Sequence, residues 1–165
     1  MIEDIQQLIS ALREELQQYG EMLALLDRQH QFIMVRAAED VFQSINPIRA
    51  QGSAIQRARA HREKCRRGVA LNFQQPDSAG FVVLIPLLPS DYRPLFKALV
   101  DENNELLLRV RNRARQNHLL LSRSVELMQG LLNTLLPSRE TRVYNDHGNM
   151  HTHTIVSRSL YDAVG

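Results

Sequence analysis

The sequence from Ser90 to Leu136 reads SDYRPLFKALVDENNELLLRVRNRARQNHLLLSRSVELMQGLLNTLL. Apolar residues recur in it at every seventh position, which is the repeat of a helix that packs along one side. The repeated positions are Val100, Leu107, Ala114, Leu121, Met128 and Leu135. We therefore predict a helix over residues 90–136, capped by Ser90 and ended by Pro137.

Polar residues interrupt this apolar side at Asn103, Asn117 and Ser124. A buried Asn costs stability unless it is hydrogen-bonded, and a polar residue in a helical seam can fix the register between two helices. The three positions indicate either register control inside a bundle or a groove that stays partly open for another chain. The sequence alone leaves both interpretations open.

Two further helices are predicted before this one, over about residues 2–34 and 38–67, with a turn between Met34 and Ala38. Gly68 is the expected end of the second helix, and Pro47 is expected to kink or break it. Acidic residues prevail in the first helix and basic residues crowd positions 57–67, so the two should attract in an antiparallel arrangement. Two heptad series mark the first helix. One contains Ile2, Ile9, Leu16 and Leu23 and continues to His30, and the other contains Ile5, Leu12, Tyr19, Leu26 and Ile33.

Residues 68–89 form a loop whose apolar, proline-containing part runs from Phe81 to Leu88. We name residues 81–88 the strap, and we expect it to cover the bundle as extended chain or one short helical turn. Residues 137–165 are mostly polar and are predicted to be a flexible C-terminal tail. The fold class is therefore all-α, an elongated antiparallel helical bundle or coiled coil of three main helices, with a helical domain over 1–136 and the tail over 137–165.

The sequence contains no pattern that is typical of catalysis, so we predict a protein that is not an enzyme and has no cofactor. His147, His151 and His153 are the best candidate metal ligands, but a flexible tail orders ligands poorly and we predict no metal site. The basic stretch 57–67 lacks interleaved aromatic residues, which favours a solvated face over nucleic acid binding. No apolar run approaches the roughly 20 residues that span a bilayer, and we expect a cytoplasmic protein without stable membrane insertion.

The predicted third helix resembles the FlgN family of flagellar export chaperones. The resemblance rests on residues 99–104, 106–107, 119–121 and 131–132, on Asn117, and on the segment from Val143 to Gly148. It implies a cytoplasmic chaperone of type III secretion that binds the disordered terminal segment of hook-associated proteins, prevents their premature assembly and delivers them to the cytoplasmic domain of the membrane export gate. The chain departs from the family pattern in its His-rich and Thr-rich residues 150–154 and in its longer strap.

The end of the third helix is the predicted cargo-binding surface, since a cargo segment could fold there as an amphipathic helix against apolar side chains. The predicted contact residues are Leu121, Val125, Met128, Leu131, Leu132 and Leu135. Tyr144 matches the tail tyrosine that the resemblance assigns to the export gate. A structural coiled-coil protein that associates with itself is the alternative function, and a homodimer of the free protein would cover the same surface.

Overall fold

The structure, a computed structural model, describes residues 1–135. Its elements are α1 (Ile2–Met34), α2 (Ala38–Asn72), α3 (Phe81–Leu84), a 3₁₀ turn (Ile85–Leu87) and α4 (Arg93–Leu135). The chain divides into two compact units, Met1–Ser124 and a second one that begins at Val125. The all-α prediction is confirmed for the described residues, and the predicted tail lies outside them.

The helices α1 and α2 run antiparallel, and their side chains are hydrogen-bonded at both ends of the pair. The Asn72 amide donates to the Asp4 carboxylate over 2.9 Å, and the Gln29 amide donates to the Ser44 hydroxyl, also over 2.9 Å. The turn between the helices covers residues 35–37, as predicted, although neither Gly nor Pro is present. Arg36 supplies the left-handed backbone conformation there, with a φ of 57°.

The helix α4 runs parallel to α1, as two hydrogen bonds along its length show. The Asn103 Nδ2 donates to the Leu12 carbonyl over 3.1 Å, and the Asn117 Nδ2 donates to the Leu26 carbonyl over 2.9 Å. Both pairs are 91 residues apart, so the offset between the helices is constant over two heptads. The three long helices alternate in direction, which confirms the predicted antiparallel bundle.

The core lies along two sides of α1, because this helix packs against both α2 and α4. Of the predicted series Ile5, Leu12, Tyr19, Leu26 and Ile33, the first four are buried and Ile33 is partly buried. Of the other predicted series only Ile9 is buried. A third series that the sequence analysis overlooked takes its place, and its buried members are Leu8, Glu15, Met22 and Gln29. A helix with two neighbours needs two seams, and the second one here contains polar side chains.

The strap packs over one end of the bundle as a short helical turn, in agreement with the prediction. Its residues Leu84 and Leu88 are buried. The loop before it is attached to α2 by Arg66, whose guanidinium donates to the carbonyls of Asp77, over 2.6 Å, and of Ala79. The Arg66 side chain is itself buried. One internal cation therefore orders a loop that has little secondary structure.

The predicted end of the second helix at Gly68 was wrong. The helix α2 continues to Asn72, and Pro47 does not break it either. Val69 and Ala70 are completely buried, Val69 in the core cluster with α1 and α4 and Ala70 against the loop and strap. Their burial stabilises one more helical turn, which outweighs the preference of glycine for a helix end.

The predicted start of the third helix at Ser90 was wrong as well. The helix α4 begins at Arg93, and its first helical hydrogen bond runs from the Phe96 N–H to the Tyr92 carbonyl. Pro94 explains the shift, because it has no N–H. In a helix capped by Ser90, the first helical hydrogen bond would need an N–H at position 94. In the observed helix, position 94 lies in the first turn, where an N–H has no partner within the helix, so a proline is tolerated there.

Candidate functional site

The two asparagines of α4 form polar contacts inside the bundle. The Asn117 Nδ2 donates to the Leu26 carbonyl and to the Gln29 Oε1, the latter over 3.1 Å. Its Oδ1 lies 2.9 Å from the His30 Nδ1. Since Nδ2 faces a carbonyl that can only accept, Oδ1 is the acceptor and His30 donates. Asn117 thus has a partner for both ends of its amide.

Asn103 is bonded less completely, and Ser124 has no contact of this kind. The Asn103 Nδ2 donates to the carbonyls of Leu12 and Leu99, but its buried Oδ1 has no hydrogen-bond partner within residues 1–135. Ser124 is exposed and donates to the Leu120 carbonyl of its own helix. Of the two interpretations of the polar positions, register control applies to both asparagines, since each donates to a carbonyl of α1.

A buried carboxylate joins α1 to α2. Glu15 accepts from the Tyr19 hydroxyl over 2.8 Å, and its second oxygen lies 2.9 Å from the Arg62 Nε. Burial raises the pKa of Tyr19 to about 12, with a further contribution from the bond to Glu15. These groups line a cavity of about 270 Å³, together with Arg59, Asn103 and apolar side chains of α1, the strap and α4. Because the carboxylate is paired, the arrangement serves packing between helices rather than acid-base chemistry.

The last turns of α4 carry large apolar side chains that are exposed. Their exposed fractions lie between 49% and 75%, and the residues are Val125, Leu127, Met128, Leu131, Leu132 and Leu135. At 100° per residue all six lie within one half of the helix circumference, while Glu126, Gln129 and Asn133 lie on the other half. An exposed apolar surface of this kind is typical of a site that binds another protein.

The comparison with known families decides the identity. A sequence profile described as FlgN protein matches residues 1–152, which is most of the chain. The chain belongs to the FlgN family. No curated protein and no solved structure matches it.

The FlgN family consists of flagellar export chaperones, and this gives the chain a general role in flagellum assembly with flagellar proteins as partners. Chaperones of this family are not known as enzymes. Within residues 1–135, no helix is long and apolar enough to cross a membrane. The same part of the chain holds no cluster of His, Cys, Asp or Glu that could bind a metal ion.

The structure brings five of the six predicted cargo residues of this FlgN-family chain together on the exposed end of α4. The sixth, Leu121, is partly buried and belongs to the first compact unit. Leu127 was missed by the sequence analysis although it is 75% exposed. It lies outside the heptad series, and its position next to Leu131 on the helix circumference is the signal that could have identified it. Tyr144 and the three tail histidines lie outside the described residues.

Cys65 is the one cysteine of the chain, and its surroundings make it less reactive than its sequence neighbours suggest. It is partly buried on α2. Burial raises the pKa of its thiol, and the nearby charge of Lys64 offsets this only in part. A higher pKa leaves less of the thiolate that acts as a nucleophile.

Proposed function

We propose that the chain is a cytoplasmic export chaperone that binds the disordered terminal segment of hook-associated proteins, prevents their premature assembly and delivers them to the export gate. The contact residues are Leu121, Val125, Met128, Leu131, Leu132 and Leu135. The observation that supports this proposal is the apolar, exposed side of α4 after Val125. Membership of the FlgN family supports the class of partner.

The apolar side is large enough to hold one amphipathic helix. The stretch Val125–Leu135 extends over about 15 Å, which corresponds to three helical turns. Each of its large apolar side chains is roughly half exposed, and covering it would contribute on the order of 1 kcal/mol. Six such residues give on the order of 6 kcal/mol from the α4 side of the contact alone, and the apolar side of the cargo helix adds to it.

Met128 lies near the middle of this surface and suits a chaperone with more than one cargo. Its side chain is unbranched and is 61% exposed. A flexible thioether adapts to differently shaped apolar partners at small cost. The surrounding leucines supply most of the area, and Met128 allows the fit to vary.

Charge insertion on the apolar side tests this assignment. Leu131→Asp and Leu132→Asp should each abolish binding of a hook-associated protein in a pull-down, because they place a charge against the apolar side of the cargo helix. Asn133→Asp is the matched control, since it adds the same charge on the polar side and should bind normally. Far-UV circular dichroism should show equal helicity in all three variants. If both leucine variants keep the cargo, the surface lies elsewhere.

Tyr144 is assigned to the export gate, with the family resemblance as its only support. Tyr144→Ala should weaken binding of the purified cytoplasmic domain of the gate and leave cargo binding unchanged. Tyr161→Ala, also in the tail, is the control and should change neither. Equal loss of gate and cargo binding in Tyr144→Ala would assign this tyrosine to the cargo site instead.

Self-association is the second candidate function, and the same exposed apolar side favours it, because heptad positions can pair with a second copy. As a chaperone, the free chain would form a homodimer that cargo dissociates. As a structural coiled-coil protein, it would keep its oligomeric state when cargo is added. Sedimentation velocity at several concentrations, with and without the cargo segment, distinguishes the two.

A further inference from the structure

A second exposed surface lies along the middle of α4, on the side that faces away from the bundle. We define it by four residues, Leu108, Arg111, Arg115 and Leu119, and name it the outer arginine face. Their spacings of three, four and four residues place them on one side of the helix. Val110 and Asn117, which are buried in the bundle, lie on the opposite side. None of the four belongs to the proposed cargo-binding residues.

The charge of this region is strongly one-sided. Between Glu105 and Glu126 the sequence contains five arginines and no acidic residue. One of them, Arg113, reaches back to α1 and pairs with Asp27 over 2.6 Å. Arg111 and Arg115 are exposed, and neither forms an ion pair with any residue in 1–135. The charge of Arg113 is thus paired with an acidic residue of α1, whereas the charges of Arg111 and Arg115 are unpaired within residues 1–135.

Two features of the outer arginine face are unfavourable in the chain by itself. Arg111 and Arg115 are one helical turn apart, and like charges at that spacing repel each other. Leu108 and Leu119, which flank them, are 57% and 49% exposed. A partner with carboxylates between two apolar groups would pair with both arginines and cover both leucines.

We propose that the outer arginine face binds an acidic amphipathic helix of another protein. Leu108 and Leu119 are about 16 Å apart along the helix, which matches three turns of a partner helix. Such a partner would place Asp or Glu against Arg111 and Arg115 and an apolar side chain against each leucine.

Other anionic partners fit this face less well. Single-stranded nucleic acid is bound largely by stacking on aromatic side chains, and residues 97–135 contain no Phe, Tyr or Trp. A lipid surface would need a continuous apolar strip at the depth of the acyl chains, whereas here the two leucines are separated by arginines. The alternation of apolar and cationic residues favours a folded peptide with the complementary alternation.

The test uses the full chain and a fluorescein-labelled synthetic peptide. The peptide has two Glu residues one helical turn apart and a Leu one turn outside each; a scrambled peptide of the same composition is the comparison. Fluorescence anisotropy should give at least about tenfold tighter binding of the patterned peptide, and the affinity should fall as salt is added.

Two charge-reversed double variants distinguish binding at this face from general attraction between charges. Arg111→Glu/Arg115→Glu should weaken binding of the patterned peptide by at least about tenfold. Arg57→Glu/Lys64→Glu changes the net charge equally at exposed positions of α2 and should change binding less than twofold. Leu108→Ser/Leu119→Ser keeps the charge and should remove the preference for the patterned peptide. Circular dichroism checks that each variant is folded.

Any one of the following results would overturn the proposal. They are equal binding of both peptides, equal loss in the two charge-reversed variants, or tighter binding to vesicles of phosphatidylserine and phosphatidylcholine that is lost only in Arg111→Glu/Arg115→Glu. The last result would assign the face to a lipid surface. A leucine variant that still prefers the patterned peptide would also contradict the proposed alternation.

Discussion

Replacing the two asparagines of α4 by alanine should have unequal effects on stability, although both occupy the same position of the heptad. Asn117→Ala removes hydrogen bonds to Leu26, Gln29 and His30. At about 1 kcal/mol for each bond, the loss is about 3 kcal/mol. The Gln29 and His30 groups that remain are partly or fully buried, which keeps the cost from falling below this value.

Asn103→Ala should cost less, because the native side chain is bonded only through its Nδ2. The substitution removes one bond to Leu12 on α1 and one within α4. The removed Oδ1 accepts no hydrogen bond from residues 1–135 and lines the cavity beside Glu15. Only the bond to Leu12 joins two helices, so the free energy of unfolding should fall by about 1 kcal/mol.

Urea unfolding followed by helical ellipticity measures both values, and Asn112→Ala is the control for helix propensity on an exposed part of α4. The difference between Asn117→Ala and Asn103→Ala should be about 2 kcal/mol. Equal midpoints at equal slopes in the two variants would contradict this expectation, since they would mean that the number of hydrogen bonds made by each amide does not determine its contribution to stability.

Further substitutions test the other interactions. Gly20→Ala and Gly68→Ala should each raise the free energy of unfolding by about 0.5 to 1 kcal/mol, because both glycines lie inside helices and a Cβ would meet no atom within 4 Å; thermal melts check this. The pKa of Tyr19 is about 12 in the folded chain against an ordinary 10.0, so its contribution to the free energy of unfolding is present below pH 10 and is lost as the pH rises towards 12. This contribution amounts to at most about 3 kcal/mol. When unfolding is measured over this pH range, Tyr19→Phe should be less sensitive to alkali than the wild type. Arg66→Met should speed hydrogen exchange of the amides of α3 and leave those of α1 unchanged, since the buried guanidinium holds the loop before α3; equal exchange in wild type and variant would show that strap packing alone suffices.

The apolar periodicity predicted the three long helices, because each pattern consists of side chains that repeat along the sequence of one helix. The buried polar seam could not be predicted in the same way. Glu15 looks like one more solvated acid of the first helix until Arg62 is placed beside it, and the two are 47 positions apart in the sequence. Partners at such separation are determined by the helix register, which the sequence pattern leaves undetermined within a heptad.

The errors at the helix ends also arise from contacts between residues that are distant in the sequence. Gly68 has the local features of a helix end, but the burial of Val69 by distant residues prolongs the helix. The left-handed residue that follows α2 is Gln74, with a φ of 54°, which a propensity argument does not favour. The exposed apolar side of α4 after Val125 was visible in the sequence as a heptad stripe, because it depends only on residues of one helix, and its role as a cargo site stays a prediction.

The large sequence separation between α1 and α4 also affects when these two helices can pair during folding. The α1 and α2 helices are joined by only three residues, 35–37, so their pairing closes a short loop. In the unpaired chain, a contact between α1 and α4 closes a loop of about 91 residues, whereas after α1 and α2 have paired only the connection 73–92 remains to be closed, so we expect α4 to dock later. During synthesis, the hairpin of α1 and α2 can form before α4 has left the ribosome. The helix with the exposed apolar end is therefore the last to dock, onto a surface that is already built.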